Sequence, residues 1–296
     1  MSSYLEASAR ERVARLFDPG SFEEFLPPSA RVVSPHLGQL DAPVAFDDGV
    51  AVGRARLGGT VVFAAAQEGG FMGGAVGEVH GAKLVGLLRR AILERPAAVI
   101  LLVESGGVRL HEANAGLVGV SEVMRAVLDA RAAGVPVIVL VGGANGSFGG
   151  MGIVSRCANI VIMSEEGRLA MSGPEVIESA NGVEEFDSRD RALVWRTTGG
   201  KHRYLMGDCQ VLVPDSIDAF RTAAMEALES ASPSELSLEA LEREQAMLGE
   251  RLERFGALAE PMEIWRALGI PDPAQLPMLD AEDFVQQVAT ARAGVK

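Results

Sequence analysis

The spacing of apolar and polar positions changes period several times along the chain of 296 residues. Tyr4 to Phe17 places Leu5, Ala9, Val13 and Leu16 at the three-to-four spacing of one helical face, with Ser2 or Ser3 as its expected cap. Asp18-Pro19-Gly20 ends that pattern. Between Phe22 and Asp48, Pro27, Pro28, Pro35 and Pro43 interrupt any period, so this stretch reads as a proline-stiffened arm of the kind that packs on partners. Val50 to Ala55 and Thr60 to Ala66 predict paired strands around Leu57-Gly58-Gly59, followed by a glycine-rich loop, Gly69 to Gly77, and a helix over Glu78 to Glu94. The apolar run Ala98 to Glu104, the turn Ser105-Gly106-Gly107 and a helix from about Ala113 to Ala133 come next. A second round follows: strand Pro136 to Val141, glycine turn Gly142 to Gly150, helix Met151 to Arg156 and strand Asn159 to Met163. Strand, turn and helix recurring in this order predict βαβ units and a mainly parallel sheet with both faces buried.

After Asp215 the period is helical, over Ser216 to Ala231, Ser234 to Arg254, Pro261 to Leu268 and Ala281 to Arg292. The chain thus divides into an N-terminal helix and proline-rich arm (1–48), an α/β core (49–214) and a helical C-terminal extension (215–296). Packing and dimerisation are the expected roles of the extension.

Composition adds exclusions. At 48% hydrophobic and 23% charged residues the chain has enough apolar material for a sizeable core. Its formal charge of −13 repels the phosphates of nucleic acids and anionic lipids, so neither is an expected partner. Cys157 and Cys209 are too few for a disulfide framework or a four-cysteine zinc site, and they read as small buried hydrophobes; no metal is expected. The charged N-terminus lacks the apolar core of a signal peptide, and the runs Ala97 to Val103 and Val135 to Val141 are too short to span a bilayer. A cytoplasmic location is the expectation.

The two glycine turns carry the candidate chemistry. A glycine turn between a buried strand and a helix leaves backbone N–H groups at the helix start and lets a ligand oxygen approach them without a Cβ in the way. Both turns fall at the C-terminal ends of parallel strands, where α/β sheets place ligands. Two such donor sets suit polarisation of a thioester carbonyl and stabilisation of an enolate. Neither matches a phosphate loop or a dinucleotide fingerprint, and Asn145-Gly146-Ser147-Phe148-Gly149 lacks the first glycine of a nucleophile elbow.

Glu104 to Glu112, ESGGVRLHE, resembles the Ser-Gly-Gly-x-Arg signature of acyl-CoA carboxyltransferase domains. The second turn, GGANGSFGGMG, the segment Met171 to Glu178, MSGPEVIE, and Phe17 to Phe22, FDPGSF, are similar to further segments of those domains in the same order. The resemblance runs from about Arg10 to Pro214. Phe71 to Lys83, FMGGAVGEVHGAK, and Thr198 to Arg203, TGGKHR, look most like the β subunit of biotin-independent malonate decarboxylase. The two cysteines cannot form the zinc ribbon of the similar bacterial acetyl-CoA carboxylase β subunit, and the length is about half that of fused carboxyltransferases.

The resemblance implies a crotonase-like ββα superhelix and a carboxy-lyase subunit acting with a γ subunit. It further implies that a malonyl thioester, held on an acyl-carrier subunit by a CoA-derived prosthetic group and without biotin, loses CO₂ to give an acetyl thioester. The active site is then expected at a subunit interface. Gly106 and Gly107 are the candidate donors to the enolate oxygen, and Gly149 and Gly150 the candidate cradle for the departing carboxylate.

Beside these glycines, Ser105 and Arg109 are candidate substrate contacts, with Arg109 equally suited to a structural salt bridge. Lys201, His202 and Arg203 concentrate positive charge and are candidates for pyrophosphate or the carrier subunit. His111 with Glu112 is a possible proton-transfer pair, although neighbours on a helix point apart. Other functions stay open: a subunit that moves carboxylate to biotin, an acyl-CoA hydratase or isomerase needing an acid such as Glu78 or Glu112 beside the thioester, and a silent scaffold for a γ subunit.

Overall fold

The computed structural model describes residues 2–231 and 236–295. Its centre is set by two runs of β-branched and leucine residues, β4 (Val99–Val103) and β5 (Val137–Val141), in which every residue is buried. Successive side chains of a strand point to opposite faces. Val99, Leu101, Val103, Val137, Val139 and Val141 therefore enter one apolar cluster, and Ile100, Leu102, Ile138 and Leu140 enter another. Each such fully buried side chain contributes about 1.5–3 kcal/mol, and only a sheet covered on both sides can use the whole run.

Seven strands lie side by side in chain order: β1 (Glu23–Glu24), β2 (Val50–Leu57), β3 (Thr60–Gln67), β4, β5, β6 (Ile160–Ser164) and β7 (Val211–Val213). The first three pair antiparallel and the rest parallel. Crossovers of one hand that always advance to the next strand stack their helices on a single face. That face carries α2 (Glu78–Glu94), α3 (Asn114–Ala132) and α4 (Gly149–Arg156). Helices α1 (Ala9–Leu16) and α8 (Ile217–Ser230) cover the opposite face. Helix α8 falls in the segment expected as an extension, yet its Ile217, Phe220, Ala224 and Ala227 belong to the core.

Beyond the strand ends, single parallel bridges join Ser105 to Ser147, Ser147 to Leu169 and Val76 to Val108. Both glycine turns thus continue into a second small layer, which is the ββα arrangement that the resemblance implies. The remaining helices are α5 (Pro174–Asn181), α6 (Arg191–Thr198), α7 (Gly200–Leu205), α9 (Leu238–Phe255), α10 (Pro261–Ala267) and α11 (Ala281–Ala293). Trp265 and Phe284 of α10 and α11 pack on Leu205 and Leu212. No helix among the described residues is long and apolar enough to cross a membrane.

Two expected helix starts change. Helix α1 starts at Ala9 rather than Tyr4 because Ser8 and Glu11 form a reciprocal capping box. Ser3 instead donates its hydroxyl to Asp215, which also accepts the Tyr4 and Leu5 N–H groups at 3.0 and 2.9 Å. The helix expected from Ser234 has its cap at Ser237, and Ser234 itself lies outside the described residues.

Candidate active site

The two glycine turns meet back to back. Gly107 has φ +125° and Gly149 φ +57°, and a Cβ on Gly149 would sit 3.0 Å from the Gly107 Cα. Both the backbone conformation and this approach call for glycine. The turns nevertheless differ in what they offer a ligand.

The first turn is closed on itself. Gly106 N–H donates to Gly73 O at 2.8 Å, and Gly107 N–H donates to the fully buried Ser105 Oγ at 3.1 Å. The expected oxyanion donors Gly106 and Gly107 thus already have acceptors within the chain, and Ser105, expected to touch substrate, accepts from its own turn. A short serine side chain folded over its own turn satisfies those groups locally.

The second turn is open. Gly149, the first residue of α4, donates its N–H to Met171 O at 2.8 Å, whereas the Gly150 and Met151 N–H groups have no hydrogen-bond acceptor among the described residues. The first N–H groups of a helix point out along its axis at the positive end of its dipole. Gly149 and Gly150 are half-buried, so a ligand oxygen can reach that end of the helix, while Met151 itself is buried. Met151 was not among the residues singled out in the sequence, although any helix starting at Gly149 exposes its third N–H.

Arg109 is not available to substrate. Its side chain is fully buried and donates to Asp48 Oδ1 and Oδ2 at 3.1 and 3.0 Å and to Glu112 Oε1 at 2.7 Å. Burial pushes the Asp48 carboxyl above its ordinary range in spite of Arg109. Glu112, raised by burial, is brought below the usual carboxylate range by the Glu78 N–H at 2.6 Å and by Arg109. Glu112 therefore caps α2 and cannot pair with the exposed His111 as a proton relay. Glu78 is paired with His36 at the surface, so neither carboxylate the hydratase reading needs faces the open turn.

The positive cluster also dissolves. Lys201 Nζ donates to Pro277 O and Leu279 O and pairs with Glu165 at 3.2 Å. It borders a cavity of about 470 Å³ where Glu165, Glu166 and Asp280 outnumber Lys201 and Arg196, a balance that does not favour pyrophosphate. Arg203 is held by Asp208 and Thr197 O, at 3.0 and 3.1 Å. His202 is buried, accepts the Trp265 indole N–H on Nδ1 at 3.1 Å, and carries no charge near neutral pH, because burial and then Arg203 push its pKa down to about 3. Lys201 and His202 fasten the C-terminal segment, whereas Arg203 is held within the core.

Unfolded histidine, with its usual pKa of 6.5, binds a proton that folded His202 refuses until about pH 3. Stability is therefore present above about pH 6.5 and is lost as pH falls toward 3. Denaturant midpoints measured from pH 7.5 to 4.5 should decline, and His202→Gln should decline less steeply. Equal slopes would contradict a buried neutral imidazole.

Exposed apolar side chains sit on the elements around the open turn: Leu110, Leu117 and Val118 before and on α3, Ile153 on α4, Met171, and Val176 on α5. Exposed large apolar side chains are common on interaction faces.

The carboxyl transferase domain model matches residues 6–223. The malonyl-S-ACP:biotin-protein carboxyltransferase of Malonomonas rubra is 40% identical, covering 98% of this chain and 97% of that protein. A chain of the Pseudomonas malonate decarboxylase hetero-tetramer, solved in complex with malonate, is 38% identical, with a TM-score of 0.78 over 84% of this chain and 91% of that one. A chain of a Pseudomonas malonate decarboxylase hetero-dimer is 34% identical, with a TM-score of 0.67 over 83% and 96%.

Proposed function

We propose, on the premise that this chain belongs to the carboxyl transferase domain family, that it is the malonate decarboxylase subunit that removes CO₂ from a malonyl thioester. The observation that carries this reading is the pair of N–H groups, Gly150 and Met151, that have no acceptor among the described residues at the start of α4. The thioester oxygen lies against them. When the bond between C2 and the carboxylate breaks, CO₂ leaves with that carbon, and its electron pair forms the C2–C1 double bond of an enolate whose charge falls on this oxygen. A proton then adds to C2 and gives the acetyl thioester. Donors already in place stabilise that charge without reorganising, an effect of about 10²–10³ in rate per donor.

The carboxylate cradle lies outside this turn. Gly149 has already given its N–H to Met171 O, and the first turn is closed. A partner subunit, the γ subunit of the resemblance, covers the exposed apolar face and completes the cradle. The hetero-dimeric and hetero-tetrameric assemblies of the similar proteins support this. The malonyl group arrives on an acyl carrier through a CoA-derived arm, in keeping with the malonyl-S-ACP named for the Malonomonas rubra relative.

That same relative favours a second reading, in which the carboxyl group passes to a biotin protein instead of leaving as CO₂. Label in the malonyl carboxyl carbon separates the two. Incubated with the assembled complex, it appears as free CO₂ at the same rate with or without a biotinylated carrier if decarboxylation is direct. Label retained on the biotin carrier, with no release in its absence, would replace the first reading with the second.

A further inference from the structure

The open turn has a support that its own residues do not supply. Glu104, the residue after β4, is buried and lies behind both turns. Its Oε1 accepts the backbone N–H and the side-chain amide of Asn145, each at 3.3 Å, and the same amide donates to Gly69 O at 3.1 Å. Its Oε2 pairs with Arg12 of α1, which is 1% exposed. Arg12 in turn donates to Tyr4 O at 2.9 Å and lies over the Tyr4 ring. The carboxylate fills the space that side chains on Gly69 and Gly143 would need, since a Cβ at either would lie 2.3 and 2.5 Å from it.

A buried carboxylate without a partner is strongly unfavourable, and a buried ion pair is poor evidence of a gain in stability over apolar packing. The pair instead specifies one arrangement. Asn145 is four residues before Gly149, and the intervening backbone is pinned at Gly146, which accepts from Ser105 N–H and donates to Gly143 O. The path from Arg12 to the start of α4 is thus continuous in named contacts.

We infer that Glu104, held by Arg12, is a positioning residue that acts through Asn145 to fix the 142–150 turn and so aim the Gly150 and Met151 N–H groups. The inference rests on the proposed role of those two groups, but its first test does not depend on the reaction. Two double variants remove both buried charges and differ in one respect. Arg12→Met/Glu104→Gln keeps an oxygen to accept from Asn145, and Arg12→Met/Glu104→Leu does not.

Hydrogen–deuterium exchange over residues 143–150 should stay within about threefold of the unaltered chain in the glutamine variant. It should rise about tenfold in the leucine variant and in Asn145→Ala, the scale of one or two lost hydrogen bonds. In the assembled complex the leucine variant and Asn145→Ala should lose about tenfold in kcat with KM within twofold, and the glutamine variant should keep most of its turnover. Equal exchange in the two double variants, or a kcat set only by the fraction folded, overturns the positioning role. An unaltered complex that releases no CO₂ from malonyl thioester would instead sink the functional reading, and the exchange comparison would still decide the inference.

Discussion

Gly150→Ala is expected to lower turnover of the assembled enzyme by about 10²–10³, whereas Gly106→Ala changes it by less than about threefold. The contrast rests on local space. A Cβ on Gly150 would lie 2.3 Å from Val120 Cγ1, and Val120 is buried in the α3 face of the core. A side chain packed on several sides does not retreat freely. The start of α4 moves instead, and with it the Gly150 and Met151 N–H groups. A shift of an ångström at such donors is enough for a loss of this size. On Gly106 the nearest atom to a Cβ is Gly73 O at 3.6 Å, an ordinary contact, and its N–H already serves Gly73 O. Initial rates on malonyl thioester for both variants check the pair. Adding Val120→Ala to Gly150→Ala makes room and should restore part of the rate. Loss of activity in Gly106→Ala with none in Gly150→Ala would assign the oxyanion to the first turn.

Arg109→Ala should lower the free energy of unfolding by about 3–5 kcal/mol, the range for breaking a buried ion pair from one side. The guanidinium pairs with both Asp48 and Glu112, and all three side chains are inaccessible to water. Without it, two carboxylates face each other in a low-dielectric site. Arg109→Lys also destabilises, because an ammonium does not reproduce the planar guanidinium, whose Nη1 meets both carboxylates while its Nη2 donates to Asp48 O at 3.4 Å. Equilibrium unfolding in denaturant measures the effect. A variant that keeps full stability and raises KM tenfold would return Arg109 to the substrate.

The parts of the fold written in contiguous sequence were legible. The runs at β4 and β5 show by length and β-branching that they are buried strands, and the bounds of α2 follow directly from its pattern. Short elements were not. Val211–Val213 has too few residues to display a period, and Glu23–Glu24 forms a strand only because β2 offers it a free edge. Helices α5, α6 and α7 went unread because glycines and prolines break their patterns into pieces of six to eight residues. The Ser8 capping box was visible as Ser-x-x-Glu, and the apolar spacing from Leu5 obscured it.

The candidate site was legible as a pair of glycine turns, but not in how they divide their work. Which N–H groups remain free depends on acceptors distant in sequence, Gly73 O for Gly106 and Met171 O for Gly149. The partners of the charged candidates depend on the same kind of distant contact. Asp48 is 61 positions from Arg109 and Trp265 is 63 from His202, and nothing local announces either partner.

Release of CO₂ from malonyl thioester by this chain, by its partner subunit and by the two together tests the central claim most directly. The account predicts release only from the assembled mixture, at a rate indifferent to biotin and reduced by Gly150→Ala. A properly assembled complex that releases no CO₂, or that does so undiminished with Gly150→Ala, would contradict it.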